Sequence, residues 1–187
     1  MRKLKLQAQM TIDGFIAGTN GEMDWMKFPW TTDTTDYVNG ITEPVDTILL
    51  GRILAEGFIP HWTAALENPE VAVFAKKMVE TPKVVFTKTL KKSIWDNTVL
   101  ATGELADEIN ELKKQAGKDM IAYGGAKFVS SLIKERLIDE LHLFVNPAVL
   151  GIGMPIFQTV SEKQNYELTH AQHFECGIAV LVYKQGK

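Results

Sequence analysis

Two hydrophobic periods alternate along this chain. A period of two residues, typical of strands, begins at residues 3–10, where every second side chain is apolar. A period near 3.6 residues, typical of helices, is clearest at residues 103–117 and 124–137. The pattern predicts strands at 3–10, 45–50, 83–87, 98–101, 119–123, 138–150, 166–175 and 177–184, and helices that start near 33, 52, 69, 104 and 124.

The order of these elements predicts the fold class. Strands alternate with helices up to about residue 145, and a β-hairpin then ends the chain. This order is typical of a three-layer α/β/α domain whose mostly parallel sheet has an antiparallel edge. The 187 residues show no internal repeat or linker, so we expect a single domain over 1–187.

In an open α/β sheet, the segments that follow parallel strands meet at one edge, where ligands bind. This rule places residues 11–25, Gly51-Arg52, Thr87-Lys88 and Gly124-Gly125 around one crevice. The glycine-punctuated loop 11–25 is predicted to cover the active site, and a plain surface loop is the alternative.

Gly124-Gly125 lies between a predicted strand and a predicted helix. Glycines let backbone N–H groups approach a ligand, and a helix N-terminus favours an anion such as phosphate. A tight turn without a ligand is the alternative. Arg52 opens another helix, where a cation opposes the helix dipole, so it needs a partner. That partner is either Glu56 or a ligand phosphate.

Composition excludes several function classes. The net charge of -3 and pI ≈ 5.8 argue against a nucleic-acid interface. The single cysteine, Cys176, cannot form an internal disulfide, which fits a reducing compartment. No apolar run reaches the length of a membrane span, so we expect a cytoplasmic protein. The four histidines form no zinc-like pattern, and we expect no metal site.

Five stretches together carry a resemblance to a known family. They are MTIDGFIAGTNGEMDW near the start, LLGRILAEGF at 49–58, VVFTKT at 84–89, YGGAKFVSSLI at 123–133 and IDELHLFVNPAVLGIGMPIF at 138–157. They resemble the dihydrofolate-reductase-like superfamily, in the branch related to the reductase domain of bacterial riboflavin biosynthesis. The resemblance covers nearly the whole chain, and its last two motifs are the most specific.

The resemblance implies a reductase that uses NADPH and delivers a hydride to a planar heterocycle. By the same resemblance, Gly124-Gly125 forms the diphosphate turn, with a cis peptide bond between its glycines, and Arg52 favours the 2′-phosphate of the cofactor. The cofactor-binding residues it implies are Ala8, Ile16, Ala17, Gly51, Arg52, Ile53, Thr87, Lys88, Thr89, Gly124, Gly125, Ala126 and Lys127.

The substrate side of the resemblance implies an acidic residue on the first helix. Asp36 lies nearest that position, with Asp33 as its rival, and exposed helix-start carboxylates are the alternative for both. Trp25 resembles a loop tryptophan that borders the substrate, although core packing would also explain it. Asp13 is equally well explained as a turn former. The chain offers few basic groups outside the cofactor turns, which favours a pterin-like or folate-like substrate over a ribosylaminopyrimidine.

Two further interpretations belong to other classes. The chain could be a nucleotide-binding module that keeps the fold without catalysis, motivated by the weak match at residues 33–36. The terminal hairpin could serve dimerisation, since edge strands with apolar faces such as AVLVY pair readily, so we expect a homodimer.

Overall fold

The computed structural model describes residues 1–186, and one eight-stranded sheet forms its centre. The strands of this sheet are β1 (Leu4–Thr11), β3 (Val45–Gly51), β4 (Lys83–Phe86), β5 (Thr98–Ala101), β6 (Asp119–Ala122), β7 (Glu140–Asn146), β9 (Tyr166–His173) and β10 (Ala179–Gln185). Their spatial order is β5-β4-β3-β6-β1-β7-β10-β9. The first six are parallel, whereas β10 runs antiparallel to both β7 and β9. The predicted parallel sheet with an antiparallel hairpin at its edge is confirmed.

Five helices cover the two faces of this sheet. They are α1 (Thr32–Thr42), α2 (Arg52–Ala65), α3 (Ala72–Glu80), α4 (Leu105–Lys114) and α5 (Ala126–Lys134). α4 and α5 pack on one face, in a core that includes Leu49, whereas α2 and α3 pack on the other face against Ile48 and Leu50. Successive strand residues point to opposite faces, so β3 is buried on both sides. α1 lies on the same face as α2 and packs against β7 and β10.

Two local elements differ from the predicted pattern. The helix expected from Pro69 begins at Ala72, because Asn68 to Val71 form a turn in which Val71 N donates to Asn68 O. The predicted loop near residue 154 instead forms β8 (Met154–Pro155), which pairs with β2 (Phe15–Ala17). The fully buried Ile156 donates from its backbone N to Gly14 O and so anchors this small sheet.

Candidate active site

The carboxyl ends of the parallel strands lie at one edge of the sheet. Strands β1, β3, β4 and β6 are mutually parallel, so the segments that follow them share this edge. These segments are the ones that the sequence predicted: 11–25, Gly51-Arg52, Thr87-Lys88 and Gly124-Gly125.

Two helix N-termini converge at this edge. Gly51 is the N-cap of α2 and Gly125 is the N-cap of α5, and neither receives a side-chain capping hydrogen bond from residues 1–186. A Cβ on Gly51 would lie 2.9 Å from the Cβ of Phe128 in α5, and one on Gly124 would lie 3.6 Å from Leu54 Cδ2 in α2. Backbone N–H groups of both helices therefore face one region, which favours an anion.

The Gly124-Gly125 turn closes without a cis peptide. Both glycines have positive φ, 155° and 83°, and the peptide between them is trans. The expected cis bond is therefore wrong. The physical reason is that two glycines with positive φ reverse the chain without it. Within residues 1–186 the cis peptide is Phe28-Pro29.

Arg52, the first residue of α2, pairs with a carboxylate one turn along the same helix. Its Nη1 lies 2.6 Å from Glu56 Oε1. Of the two partners that the sequence left open, the structure contains Glu56. The neighbouring Ile53 is 73% exposed, an unusual position for an apolar side chain at a helix start. Both side chains can thus contact a molecule at the α2 N-terminus.

Thr87 and Lys88 form a turn beside a cavity of about 320 Å³. Thr87 is buried, and its Oγ1 accepts from the backbone N–H groups of Thr89 and Leu90, both at 3.1 Å. Lys88 Nζ donates to Gly103 O at 2.9 Å. The cavity is lined by Phe86, Thr87, Lys88, Ala101, Gly103, Glu104, Leu105, Lys127, Phe128 and Ser131. The structure therefore brings two of the predicted cofactor segments, Thr87-Lys88 and Lys127, to one cavity.

The residues predicted for the nicotinamide half are buried near the end of β1. Ala8 is 1% exposed and lies on the face covered by α4 and α5. Ile16 and Ala17 belong to β2 and are also buried. Ala126 begins α5 and is buried beneath the Gly-Gly turn. These residues can therefore offer a cofactor only their backbones and apolar side chains.

The candidate acids do not converge on the crevice. Asp36 is exposed on the side of α1 opposite Thr34, Val38 and Thr42, which are the buried residues of that helix. Asp33 accepts from Glu175 N at 2.9 Å and from Thr31 Oγ1, and so joins α1 to the β9–β10 turn. The hydrogen bond from Thr31 is the main reason that the pKa of Asp33 lies below its usual value. These bonds keep Asp33 in its ionised form. The role of Asp36 as the catalytic acid stays a prediction.

Two other loop residues have local roles. Trp25 is half-buried, and its Nε1 donates to Glu22 O at 3.2 Å. Asp13 accepts from Thr11 Oγ1 at 2.6 Å and from Gly151 N at 2.7 Å. The hydrogen bond from Thr11 contributes most to lowering the pKa of Asp13. Asp13 therefore ties the segment after β7 to the end of β1.

The polar face of β1 was missed by the sequence analysis. Lys27 N, in the loop, donates to Asn146 Oδ1 at 2.9 Å, and Asn146 Nδ2 donates to Gln9 Oε1 at 2.7 Å. Gln7 lies further along the same face and is 6% exposed. The polar positions at 3–10 are visible in the sequence, but an alternating strand normally has its polar side chains in solvent. They indicate a buried polar face only once β1 is known to lie inside the sheet.

The described residues, 1–186, contain neither a membrane-spanning helix nor a cluster of metal ligands. No helix in this range is long and apolar enough to cross a membrane. The same residues contain no group of three or more His, Cys, Asp or Glu side chains placed to hold a metal ion.

Comparison with known proteins gives consistent matches. The family described as the RibD C-terminal domain matches residues 2–180. The uncharacterized protein YyaP of Bacillus subtilis (strain 168) is 35% identical over 186 residues, which cover 97% of this chain and 94% of YyaP. These matches span almost the whole chain.

Two solved structures share the fold. A putative riboflavin biosynthesis protein from Shewanella sp. PV-4 superposes with a TM-score of 0.78 at 20% identity, with all of both chains covered. A diaminohydroxyphosphoribosylaminopyrimidine deaminase/5-amino-6-(5-phosphoribosylamino)uracil reductase from Thermotoga maritima gives 0.70 at 17% identity, covering 99% of this chain and 57% of that one.

Proposed function

Because the chain belongs to the family of RibD C-terminal domains, we propose that it is an NADPH-dependent reductase that transfers a hydride to a small heterocycle. Family membership favours an acceptor of the pyrimidine type, such as a ribosylaminopyrimidine, over the pterin-like or folate-like acceptor that the sequence favoured. The T. maritima protein is named for a reductase of that kind.

The observation that carries this proposal is the convergence of two helix N-termini without side-chain caps in residues 1–186. Gly51 keeps the approach open, because a Cβ there would lie 2.9 Å from Phe128 Cβ in the neighbouring helix, while Gly124 supplies a positive φ to the turn before α5. First-turn N–H groups of α2 and α5 are suited to a diphosphate. A dinucleotide bound there would reach the cavity beside Thr87 with one end and β2 with the other.

The basic residues near this edge favour NADPH over NADH. Lys88 and Lys127 line the cavity, and Arg52 lies at the start of α2. A planar guanidinium suits a phosphate better than a ribose diol. Because Arg52 already pairs with Glu56, a 2′-phosphate would exchange one anionic partner for another.

These contacts indicate what the cofactor supplies and what the protein contributes. The bound cofactor supplies the hydride, and the protein orients it. Gly51 and Gly125 present backbone donors, while Ile16 and Ala17 close the opposite end with apolar contacts. Lys27 N donates to Asn146 of β7, which in turn donates to Gln9 of β1, and these bonds hold the segment around Lys27 beside the end of β1.

Cofactor titration tests the proposal. We expect NADPH to bind at least about tenfold more tightly than NADH, a difference of about 1.4 kcal/mol. Arg52→Ala should remove most of that preference, and Glu56→Gln, which frees Arg52, should strengthen it. Lys134→Ala, at the exposed far end of α5, is the matched control and should bind as wild type. If the wild-type protein binds neither NADPH nor NADH, the proposed reductase function is refuted.

A second candidate is a nucleotide-binding module without catalysis. It is favoured by the candidate acids, since Asp33 is engaged with the hairpin and Asp36 is exposed on the outer side of α1. NADPH oxidation that no heterocycle stimulates, in a protein that binds NADPH tightly, would support this candidate over the reductase.

A further inference from the structure

β1 lies near the middle of the sheet, yet one of its faces is polar. The side chains on the face covered by α4 and α5 are apolar. Those on the other face form what we call the polar strip: Lys5, Gln7, Gln9 and Thr11. Three of the four are buried, with Gln9 half-buried. Because central strands of parallel sheets are normally apolar on both faces, this strip needs a physical reason.

The ends of the polar strip find partners within the protein. Lys5 Nζ lies 2.9 Å from Asp119 Oδ2 in β6, so its charge is compensated. Thr11 Oγ1 donates to Asp13 Oδ1 at 2.6 Å. The middle of the strip, Gln7 and Gln9, is therefore a neutral surface between two paired ends.

Several polar atoms in and beside the middle of the strip lack a hydrogen-bond partner. Gln7 Oε1, Gln9 Nε2 and Tyr123 Oη are buried without a hydrogen-bond partner in residues 1–186. His142 Nε2 also lacks a hydrogen bond there, but the carboxylate Oε2 of Glu140 lies 3.6 Å from it. Gln7 and His142 are only 6% and 5% exposed. Buried polar groups in native proteins are nearly always paired, so three such atoms in one place, with His142 Nε2 beside them, point to a ligand.

These four atoms lie close together in the sheet. Gln7 is directly opposite His142 of β7. On its other side Leu6 pairs with Ala122, which places Tyr123 beside Gln7. Gln9 lies two residues further along the same face of β1. The unpaired atoms thus occupy two neighbouring rows across β6, β1 and β7.

Their chemistry is that of neutral donors and acceptors. Asn146 donates to Gln9 Oε1, which leaves the Gln9 amide group as a donor. Burial raises the pKa of Tyr123, so its hydroxyl keeps its proton and can donate. Gln7 Oε1 accepts, and Tyr37 Oη fixes the His142 ring from the other side, 3.1 Å from Nδ1. No uncompensated cation of the strip faces these atoms, which disfavours a phosphate or carboxylate.

We propose that Gln7 and Gln9, with Tyr123 and His142, bind the lactam edge of a neutral heterocycle, where an N–H and a C=O lie side by side. This inference rests on the proposed function, because the heterocycle would be the hydride acceptor. It assigns recognition of the acceptor to side-chain amides on β1 and to no carboxylate of α1.

A ligand-binding role and a purely structural role of the strip predict opposite effects of mutation on stability. Replacing Gln7 by the similarly long, apolar Met removes a buried acceptor that lacks a protein partner. Gln7→Met should therefore raise the melting temperature while it weakens ligand binding, because active-site residues often trade stability for binding. If the strip were purely structural, the same change would lower the melting temperature and leave binding unaltered.

The test uses uracil as the probe and 1,3-dimethyluracil, which lacks the N–H groups, as its decoy. Titrations would follow the side-chain amide resonances of Gln7 and Gln9 in ¹⁵N spectra, with and without NADPH. We expect uracil to shift both resonances, the decoy to shift neither, and Gln7→Met or Gln9→Met to weaken uracil binding at least about tenfold. Gln172→Met, on the exposed strand β9, is the control and should bind as wild type.

Equal binding of uracil and its decoy, no binding of uracil, or unchanged affinity in both variants would each overturn the inference. These failures differ from failure of the proposed function. A protein that binds NADPH without selecting uracil over the decoy loses only this inference. One that selects uracil but binds no nicotinamide cofactor keeps the lactam site and loses the reductase.

Discussion

Lys83, at the start of β4, is a buried cation that has backbone partners alone. It is 2% exposed, and its Nζ donates to Val79 O and Thr81 O, both at 2.8 Å, at the end of α3. No carboxylate within residues 1–186 forms an ion pair with it. Burial lowers the pKa of Lys83 to about 8. The helix C-terminus is a favourable place for a cation, which opposes that shift in part.

The lowered pKa predicts a pH dependence of stability. Between about pH 8 and the unfolded pKa near 10.4, the unfolded chain binds more protons than the folded one, so Lys83 makes stability rise with pH. Urea unfolding of wild type and Lys83→Met from about pH 7 to 10 should show the difference in their unfolding free energies growing by roughly 2–3 kcal/mol in favour of wild type. Lys76→Met, on the exposed side of α3, is the control. Parallel curves for wild type and Lys83→Met would contradict the prediction.

At the scale of elements, α2 contains two glycines with opposite surroundings. Gly51, its N-cap, lies against α5, where an added Cβ would be 2.9 Å from Phe128 Cβ. Gly57, in the helix interior, has no atom within 4 Å of such a Cβ in the described chain. The first glycine sets the distance between two helix N-termini, whereas the second only weakens its helix.

The two glycines should therefore respond oppositely to alanine. Gly51→Ala should destabilise the protein by roughly 1–3 kcal/mol, because the Phe128 backbone must shift, and should weaken NADPH binding. Gly57→Ala should stabilise by about 0.5–1 kcal/mol and leave binding unchanged, because alanine favours a helix. Thermal unfolding and cofactor titration measure both. Equal effects of the two changes would show that the helix N-termini are not packed as described.

The elements were largely predictable from the sequence, and the site was only partly so. Hydrophobic periods depend on local spacing, which is why the helix at 33–41 and the strand at 83–87 are confirmed within one or two residues. Hydrogen bonds between residues that are distant in sequence produce no local pattern of this kind. The contact of Asp33 with Glu175 and the pairing of Lys27 with Asn146 join residues more than a hundred positions apart. Asp36 was placed by counting along the chain, and counting does not show which way a side chain points.

At the scale of the whole molecule, the β9–β10 hairpin ends the sheet with an uncovered face. α1 covers Val180 and Val182 of β10, but on the opposite face Leu181 is half-buried and Leu168 of β9 is 51% exposed. The charged residues of the hairpin lie on the α1 side, where Lys184 Nζ is 3.6 Å from Glu140 Oε1. This face has the apolar side chains Leu168, Ala171 and Leu181 in its middle, whereas the polar His173 and Gln185 lie towards its two ends. Apolar side chains grouped in this way are unusual for a surface in water.

We propose that a second copy of the chain covers this face in a homodimer. Sedimentation at micromolar concentration should give twice the mass of 20.9 kDa. Leu168→Lys should produce monomers, because it places a charge on the uncovered face. Gln172→Lys, paired with Val180 and hence on the α1 side, should remain dimeric. A monomeric wild type would exclude the dimer.

The alternation of polar and apolar residues in β1 has a consequence for other proteins of this architecture. Its strict alternation would ordinarily assign it to the rim of a sheet, with one side in water, whereas β6 and β7 enclose it. A strand that alternates like a surface strand but is flanked on both sides must turn its polar half towards something other than solvent. In other sequences of this architecture, amide side chains on the first strand can therefore be sought. Their presence would indicate the kind of molecule that the protein binds.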